Sequence, residues 1–207
     1  MSDPLTRSLD LVLRAQKGDR AALDALVARY RDRVLRIVRA RLGAKLRERV
    51  DSEDILQETF LTAVRKLDSF EMREEASLIR WLARLAEHQI TAAADFHGAR
   101  KRDQGRDVSL SGGSTGGAES GTRFFHATDS TQPLARIANE EEQRRVEACV
   151  AELADEYREL ILLRNYAGAS WEAIAEETGR PSAAAARMMH ARALVELGKL
   201  CREAGLS

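Results

Sequence analysis

The chain has 207 residues, of which 44% are hydrophobic and 32% charged, and 33 Lys and Arg balance 33 Asp and Glu. This composition excludes wholesale disorder, because it supplies enough apolar residues for a packed core. No apolar run approaches the ~18 residues that span a bilayer, and the N-terminus lacks a signal-peptide core, so we predict a soluble, cytoplasmic protein without a membrane partner. Cys149 and Cys201 form no CxxC pair, so neither a disulfide scaffold nor a zinc site is predicted.

The neutral total hides an uneven distribution of charge. Residues 1–102 carry 21 Lys and Arg and 16 Asp and Glu, a net +5, whereas residues 103–207 carry 12 and 17, a net −5. A basic half and an acidic half indicate two surfaces with different tasks.

Residues 103–135 separate two helical parts of the chain. Six of the 13 glycines fall between Gly105 and Gly121, mixed with Ser and Thr, and no helical or strand period survives there. Such a stretch is typical of a flexible linker. We therefore predict an all-α protein with two small helical domains, residues 1–102 and 136–207, joined by this linker. Phe124 and Phe125 are interpreted as a local anchor on a neighbouring helix rather than a partner contact.

Apolar residues at helical spacing predict four helices before the linker. The first has its apolar residues at Leu5, Leu9, Val12 and Leu13, and it ends at Gly18. Asp19 caps the second helix, whose apolar stripe runs from Ala22 to Val38. The other faces of this helix carry six arginines, Arg29, Arg31, Arg33, Arg36, Arg39 and Arg41. Two interpretations of them stay open: a solvated face, or an electrostatic footprint for a charged partner.

The third helix, which begins at Asp51, has two distinct faces. Its predicted apolar stripe consists of Leu56, Phe60, Ala63, Val64 and Leu67. The opposite face presents what we call the acidic patch: Asp51, Asp54, Gln57 and Glu58 around Leu61. Acids that only satisfy the helix dipole belong in the first turn, so the dipole explains Asp54 but not Gln57 and Glu58, a full turn later.

The fourth helix runs from about Ala76 to Phe96. It aligns Trp81, Arg84 and His88 on one side, although Trp81 is equally explained as a core residue, and the basic run Arg100-Lys101-Arg102 follows.

After the linker, a helix-turn-helix is predicted. Ser170 caps a short helix, Gly179-Arg180-Pro181 form a turn, and Ser182 caps a longer helix. Such a unit needs a small residue where the helices meet, a glycine four residues later and an apolar residue six beyond that, and Ala175, Gly179 and Ala185 have these spacings. The alternative is two adjacent helices with an ordinary Gly-Pro turn. The expected outward face of the longer helix consists of Ser182, Ala183, Ala186, Arg187 and His190, opposite Ala185, Met189, Ala193 and Leu197.

The sequence lacks the motifs that catalysis requires. The four histidines are scattered without an HExxH pair, and no GxGxxG, phosphate-loop or GxSxG pattern precedes a helix. We therefore predict no enzymatic activity, no metal and no cofactor.

Two segments resemble the extracytoplasmic-function (ECF) subfamily of bacterial RNA polymerase sigma factors. The first contains Gly18-Asp19, the run DSEDILQETFL at 51–61 and WLARLA at 81–86; the second contains LADEYRE at 153–159 and SWEAIAEETG at 170–179. With the intervening helices they cover about 14–102 and 138–200, nearly everything but the linker.

The resemblance implies a subunit that binds core RNA polymerase and directs it to promoter DNA. The N-terminal domain would bind the polymerase clamp through the acidic patch, where carboxylates meet arginines of a partner coiled coil and Leu61 contributes affinity. An anti-sigma factor is a further partner that the resemblance allows.

The same domain would open the −10 element. A single strand needs cations along its phosphates, a stacking surface and a pocket for a flipped base. Candidates for these contacts are Arg73, Trp81, Arg84, His88, Arg100, Lys101 and Arg102. His88 lies where the family usually has asparagine, and the loop around Arg73 is acidic. The sequence therefore does not identify which base of the −10 element this domain recognises.

The C-terminal domain would read the −35 element with the longer helix in the major groove. The candidate residues are Ser170, Arg180, Ser182, Ala183, Ala186, Arg187 and His190. Family members often carry Lys or Arg at the positions of Ala186 and Met188, so we expect the isolated domain to bind DNA poorly and polymerase tethering to supply the rest.

Two other functions remain as alternatives. A helix-turn-helix regulator would bind operator DNA as a dimer without polymerase, and a helical adaptor would bind protein only. Binding to duplex DNA with and without core enzyme separates these possibilities.

Overall fold

The computed structural model describes residues 4–72, 75–104 and 140–206, and all regular structure in these ranges is helical. Arg73, Phe124, Phe125 and all but the first two residues of the predicted linker lie outside the described residues. Within the described ranges no helix is long and apolar enough to cross a membrane.

The described helices form an N-terminal and a C-terminal group. The N-terminal helices are α1 (Pro4–Gln16), α2 (Arg20–Arg41), α3 (Ala44–Arg47), α4 (Ser52–Lys66) and α5 (Glu75–Gln104), with a 3-10 turn at Leu67–Ser69. The C-terminal helices are α6 (Glu140–Glu152), α7 (Asp155–Ile161), α8 (Trp171–Glu177) and α9 (Ala183–Glu203), with a π-helical segment, Leu162–Tyr166, directly after α7.

Local signals set four helix starts where the sequence predicted them, whereas α5 continues to Gln104, past its predicted end at about Phe96. Asp19, Asp51, Ser170 and Ser182 each cap a helix, and each side chain accepts a hydrogen bond from a backbone N–H of the first turn. Gly179 has a φ of 64°, a left-handed conformation that favours glycine, between α8 and α9.

Helix α2 forms the centre of the N-terminal group. Its residues Tyr30, Val34 and Ile37 are at most 1% exposed, and α1, α4 and α5 pack around them. The predicted apolar face of α1 is partly wrong, because Leu9 and Leu13 are exposed while Ser8 is fully buried. Ser8 is accommodated because its hydroxyl oxygen accepts a hydrogen bond of 3.0 Å from the Tyr30 hydroxyl.

The two groups of helices pack against each other and share one hydrophobic core. Helix α2 lies against α6 and the π-helical segment, and buried residues of α2 belong to the same cluster as Val150, Leu162 and Tyr166. The Arg33 guanidinium donates hydrogen bonds of 3.2 and 3.1 Å to the backbone carbonyl of Tyr166. The sequence did not predict this contact between the halves.

A buried carboxylate lies in this interface. Glu147 on α6 is 1% exposed, and among the described residues neither of its oxygens has a hydrogen-bond partner. The nearest guanidinium nitrogen of Arg39 is 3.8 Å away. Burial raises the pKa of Glu147 to about 7, although the charges of Arg39 and Arg36 oppose the shift.

Glu147 makes the stability of the protein depend on pH. Its pKa is higher in the folded chain than the ordinary 4.5, so its contribution is full below about pH 4.5 and is lost as the pH rises through about 7. We expect urea unfolding midpoints of the wild type to fall between pH 5 and 8, and Glu147→Gln to flatten this dependence. Glu152→Gln, an exposed change on the same helix, serves as the control and should retain the wild-type slope. Equal slopes for all three proteins would contradict the assignment.

Candidate polymerase and nucleic-acid interfaces

The acidic patch lies on the exposed side of α4. Asp51 caps the helix, Asp54, Gln57 and Glu58 are exposed, and Leu61 keeps 42% of its surface accessible. Residues three and four apart share a helix face, so these side chains form one surface. This surface presents carboxylates and an amide around an apolar centre.

Val64 extends the apolar centre of the patch. The sequence placed Val64 in the core, but it is 44% exposed, and Ile55 and Thr59 are buried in its stead. The Thr59 hydroxyl donates to the carbonyl of Ile55 at 2.7 Å, so a polar residue can face the core without an unsatisfied group. The buried stripe is thereby rotated, and Val64 joins Leu61, one turn away.

The three aligned residues of α5 differ in accessibility. Trp81 is half-buried against the core, with its ring centroid 4.7 Å from that of Phe70. Arg84 and His88 are exposed. Part of the Trp81 ring is therefore used in packing against the core, whereas the side chains of Arg84 and His88 are accessible to a partner.

Arg84 forms an ion pair with the C-terminal helices. Its Nη2 and Nε donate to Oε1 of Glu177, in α8, at 2.8 and 3.1 Å. Arg80 lies 4.0 Å from the other oxygen of the same carboxylate. A cation that the sequence assigned to promoter DNA is thus engaged by the helix-turn-helix of the same chain.

The basic run of α5 lies far from Arg84 along the helix. Arg100, Lys101 and Arg102 belong to the last turns of α5, and at 1.5 Å per residue they begin about 24 Å beyond Arg84.

The helix-turn-helix is built by α8, the turn after it, and α9. A small core of Leu160, Leu163, Ile174, Ala175 and Ala186 holds the two helices together, with Trp171 and Met189 packed against it. Ala175 and Gly179 have the places that the sequence predicted for them.

The orientation of α9 differs from the prediction. Ala186 and His190 were expected on the outward face, but Ala186 is 0% and His190 8% exposed. Ala185, expected to pack inward, is only half-buried. The helix buries positions 186, 190, 193 and 197, so the prediction is confirmed for Ala193 and Leu197, and only in the first two turns are the buried positions displaced by one residue.

His190 is an interior residue. Its Nε2 lies 2.6 Å from Oδ1 of Asn165, so Nε2 donates, and its ring meets the Trp171 ring edge-on at 5.2 Å. Burial, followed by the charge of Arg164, lowers the pKa of His190, which keeps the ring neutral at pH 7. His190 is therefore removed from the candidate DNA contacts.

Trp171 organises two arginines at the start of the helix-turn-helix. The guanidinium carbon of Arg164 lies 4.5 Å from the ring centroid, and that of Arg187 lies 5.5 Å away. Cation–π contacts of this kind orient a guanidinium. Arg180, which the sequence also proposed as a DNA contact, instead donates a hydrogen bond of 2.8 Å to the Glu156 carboxylate.

Comparisons with known proteins give a consistent result. The Sigma-70 region 2 family matches residues 26–97, and the Sigma-70, region 4 family matches residues 143–197. The ECF RNA polymerase sigma-E factor of Haemophilus influenzae (strain KW20) is 30% identical over 198 residues, which are 95% of this chain and 96% of that protein. The ECF RNA polymerase sigma-E factor of Escherichia coli (strain K12) is 31% identical over 176 residues, 84% of each chain.

The chain belongs to the ECF RNA polymerase sigma factors. It is accordingly a transcription initiation factor that acts with core RNA polymerase in promoter recognition. The solved structure of CnrH in complex with the cytosolic domain of CnrY has the same fold, with a TM-score of 0.55 and 22% identity over 95% of this chain and 98% of that chain.

The matched regions contain most of the candidate residues of this sigma factor. Region 2 extends from within α2 through His97 and includes the acidic patch, Trp81, Arg84 and His88, and it ends before the basic run of α5. Region 4 includes α8, the turn after it and α9 as far as Leu197.

The exposed face of α9 contains residues that the predicted outward face did not include. Ala184, Met188 and Ala191 lie on the same side of this helix as Arg187, and Met188 is 61% exposed. Helical spacing alone could not have found them, because the series 185, 189, 193, 197 and the series 186, 190, 193, 197 are both compatible with a core-facing stripe and alanine fits inside or outside.

Proposed function

We propose that this ECF sigma factor binds the polymerase clamp through α4, the −10 element through α5 and the −35 element through α9. The observation that carries the proposal is the acidic patch on α4, an accessible surface on a helix whose opposite side is core. We infer that the protein has no catalytic activity of its own and acts in the cytoplasm, where core polymerase and promoter DNA meet.

For the clamp, the proposed contact consists of the acidic patch together with Val64. A charged rim gives orientation and rate of association, and a desolvated apolar centre gives affinity. The adjacent exposed side chains of Leu61 and Val64 supply that centre.

For the −10 element, the proposed contacts are Arg84, His88 and the basic run of α5, with the accessible part of Trp81 as a stacking surface. Arg73 remains a candidate from the sequence alone. Because Arg84 has its own carboxylate partner in Glu177, DNA phosphates have to displace that carboxylate.

For the −35 element, the proposed surface is the exposed face of α9. Ser182 and Ala183 lie at the N-terminus of α9, and Ser170 lies at the N-terminus of α8. Helix N-termini favour the binding of phosphate groups. Arg187 provides the cation, and Ala184 and Met188 provide apolar contacts of the kind that read thymine methyl groups. Arg180 would provide a second cation for the −35 element once its hydrogen bond to Glu156 is broken.

An anti-sigma factor is proposed as an additional partner. Support comes from the CnrH structure, which contains the cytosolic domain of a second protein, CnrY, on a chain of the same fold.

The experiment that tests the proposal is run-off transcription with core polymerase on a randomised promoter library. We expect the full chain to select a two-part promoter in the presence of core enzyme and to shift duplex DNA only weakly without it. Strong sequence-specific binding of the chain alone, without any stimulation of transcription, would favour the operator-binding regulator.

A further inference from the structure

A buried hydrogen bond connects α9 to the π-helical segment. Asn165 and His190 are 5% and 8% exposed, and Oδ1 of Asn165 accepts from Nε2 of His190 at 2.6 Å. The core on which α8 and α9 pack consists of apolar side chains. In such surroundings a hydrogen bond is strong, and the loss of one partner leaves the other unsatisfied. The pair therefore holds α9 to the π-helical segment at one rotation about the helix axis.

Without this pair, the rotation of α9 is poorly determined. Residues 183–186 are all alanine, which fits inside or outside a core. A rotation of α9 by one residue, about 100°, would exchange Ala186 for a neighbouring residue in the core and move His190 away from Asn165. Buried polar groups can select one packing arrangement where apolar residues allow several. The pair therefore keeps Ala186 in the core and Arg187 on the surface.

Trp171 connects this pair to Arg187. The Trp171 and His190 rings meet edge-on with their centroids 5.2 Å apart, and the guanidinium carbon of Arg187 lies over the indole at 5.5 Å from its centroid. The N–H groups of a guanidinium lie in its plane, so a guanidinium stacked by its face can still donate to a base. An arginine that is held in this way also loses less conformational freedom when it binds.

We propose that Asn165, His190 and Trp171 are positioning residues for recognition of the −35 element. The buried hydrogen bond fixes the rotation of α9, the indole fixes the guanidinium of Arg187, and together they determine which bases Arg187 reaches. The buried pair does not have to contact DNA for this effect. The effect on base preference rests on the proposed function, whereas the position of Arg187 in the protein without DNA rests on the contacts within the helix-turn-helix.

The test uses two variants and one matched control. The pair variant, Asn165→Leu with His190→Leu, removes both polar partners together, so neither is left unsatisfied in the core. Trp171→Leu removes the indole but keeps an apolar side chain at the start of α8. The control, Ser8→Ala with Tyr30→Phe, removes the buried hydrogen bond of the N-terminal group in the same way.

Nuclear magnetic resonance of the protein without polymerase and DNA measures the position of Arg187. The ring current of an indole shifts the Nε–H signal of a guanidinium above it, and the loss of one such signal in Arg187→Lys identifies the signal of Arg187. We expect this signal to move towards the position of an exposed arginine in the pair variant and in Trp171→Leu, and to stay in place in the control. An unmoved signal in either variant, with helical circular dichroism unchanged, would overturn the proposal.

Transcription from promoters that differ in the −35 element measures base preference. We expect the ratio between the preferred and the least preferred base at one position to fall about two- to fivefold in both variants, the size expected from loss of an exposed cation–π contact. The control should keep the ratio of the wild type. An equal loss of activity on every promoter would show that the three residues only stabilise the fold. If the pair variant does not fold, Trp171→Leu still decides the outcome.

The same substitutions in an Arg187→Ala background show whether they act through Arg187. We expect no further change in base preference there, because residues that act through a shared partner are not additive. A further fall of the same size would show that they act by another route. Absence of promoter-directed transcription with every protein, the wild type included, would contradict the proposed function, while the resonance measurement still decides whether these residues position Arg187.

Discussion

We expect Asp54→Arg combined with Glu58→Arg to abolish binding to core polymerase while the protein stays folded. Both side chains are exposed on α4, so the substitutions leave the core intact. Two reversed charges in an interface place like charges together at a cost of several kcal/mol, which lowers affinity at least about 100-fold. The loss of an acid from the first helical turn costs only about 1 kcal/mol of stability, so unfolding does not account for the effect. Co-purification with core enzyme and a thermal melt measure the two quantities.

A matched variant separates this effect from total charge. Asp24→Arg with Asp68→Arg makes the same change of charge at exposed positions of α2 and the 3-10 turn, outside the acidic patch. We expect this protein to bind core polymerase as the wild type does. If both double variants bind equally well, α4 does not contact the clamp.

We expect Arg187→Ala to weaken transcription and to relax base preference at one position of the −35 element. The stacking of Arg187 on Trp171 orients its guanidinium, and an oriented guanidinium can pair bidentately with a guanine. Loss of such a pair costs about 1–3 kcal/mol. The measurement is transcription from a set of −35 variants at two salt concentrations. If Arg187 contacts only phosphate, activity falls evenly across the set and the salt slope decreases by about 1.

Two further substitutions make this result specific. Arg187→Lys keeps the charge but loses the planar fork, so it should resemble Arg187→Ala in base preference and the wild type in salt dependence. Arg192→Ala removes an exposed cation of the same helix further from its N-terminus and should leave base preference unchanged. Identical activity of Arg187→Ala and wild type on every promoter would exclude Arg187 from the DNA surface.

Local structure and family could be read from the sequence because short-range physics determines them. Asp19, Asp51, Ser170 and Ser182 cap helices where expected, since a capping side chain bonds to a backbone N–H two or three residues away. The exposure of the acidic patch followed from the helical period alone. The family followed from the order of the motifs along the chain, and the matches to regions 2 and 4 confirm it.

The tertiary structure decided which residues of a helix are buried where several neighbouring residues could equally well face the core. Alanine fits inside or outside, so the alanines of α9 did not distinguish its faces. Packing against Asn165 and Trp171 placed Ala186 and His190 inside and exposed Met188. On α4, the hydrogen bond from Thr59 to Ile55 allowed a polar residue to replace Val64 in the core.

The arginines of α2 also could not be interpreted from the sequence, because their partners lie far away along the chain. The sequence left a solvated face or a footprint for a partner as the two interpretations. In the structure Arg33 and Arg41 bind the backbone of Tyr166 and the carboxylate of Glu159, more than 100 residues later in the chain. Composition by itself determined that one half is basic and the other acidic. Which acids meet which arginines depends on how the C-terminal helices pack against α2, because an ion pair forms only where packing brings the two charges within about 4 Å.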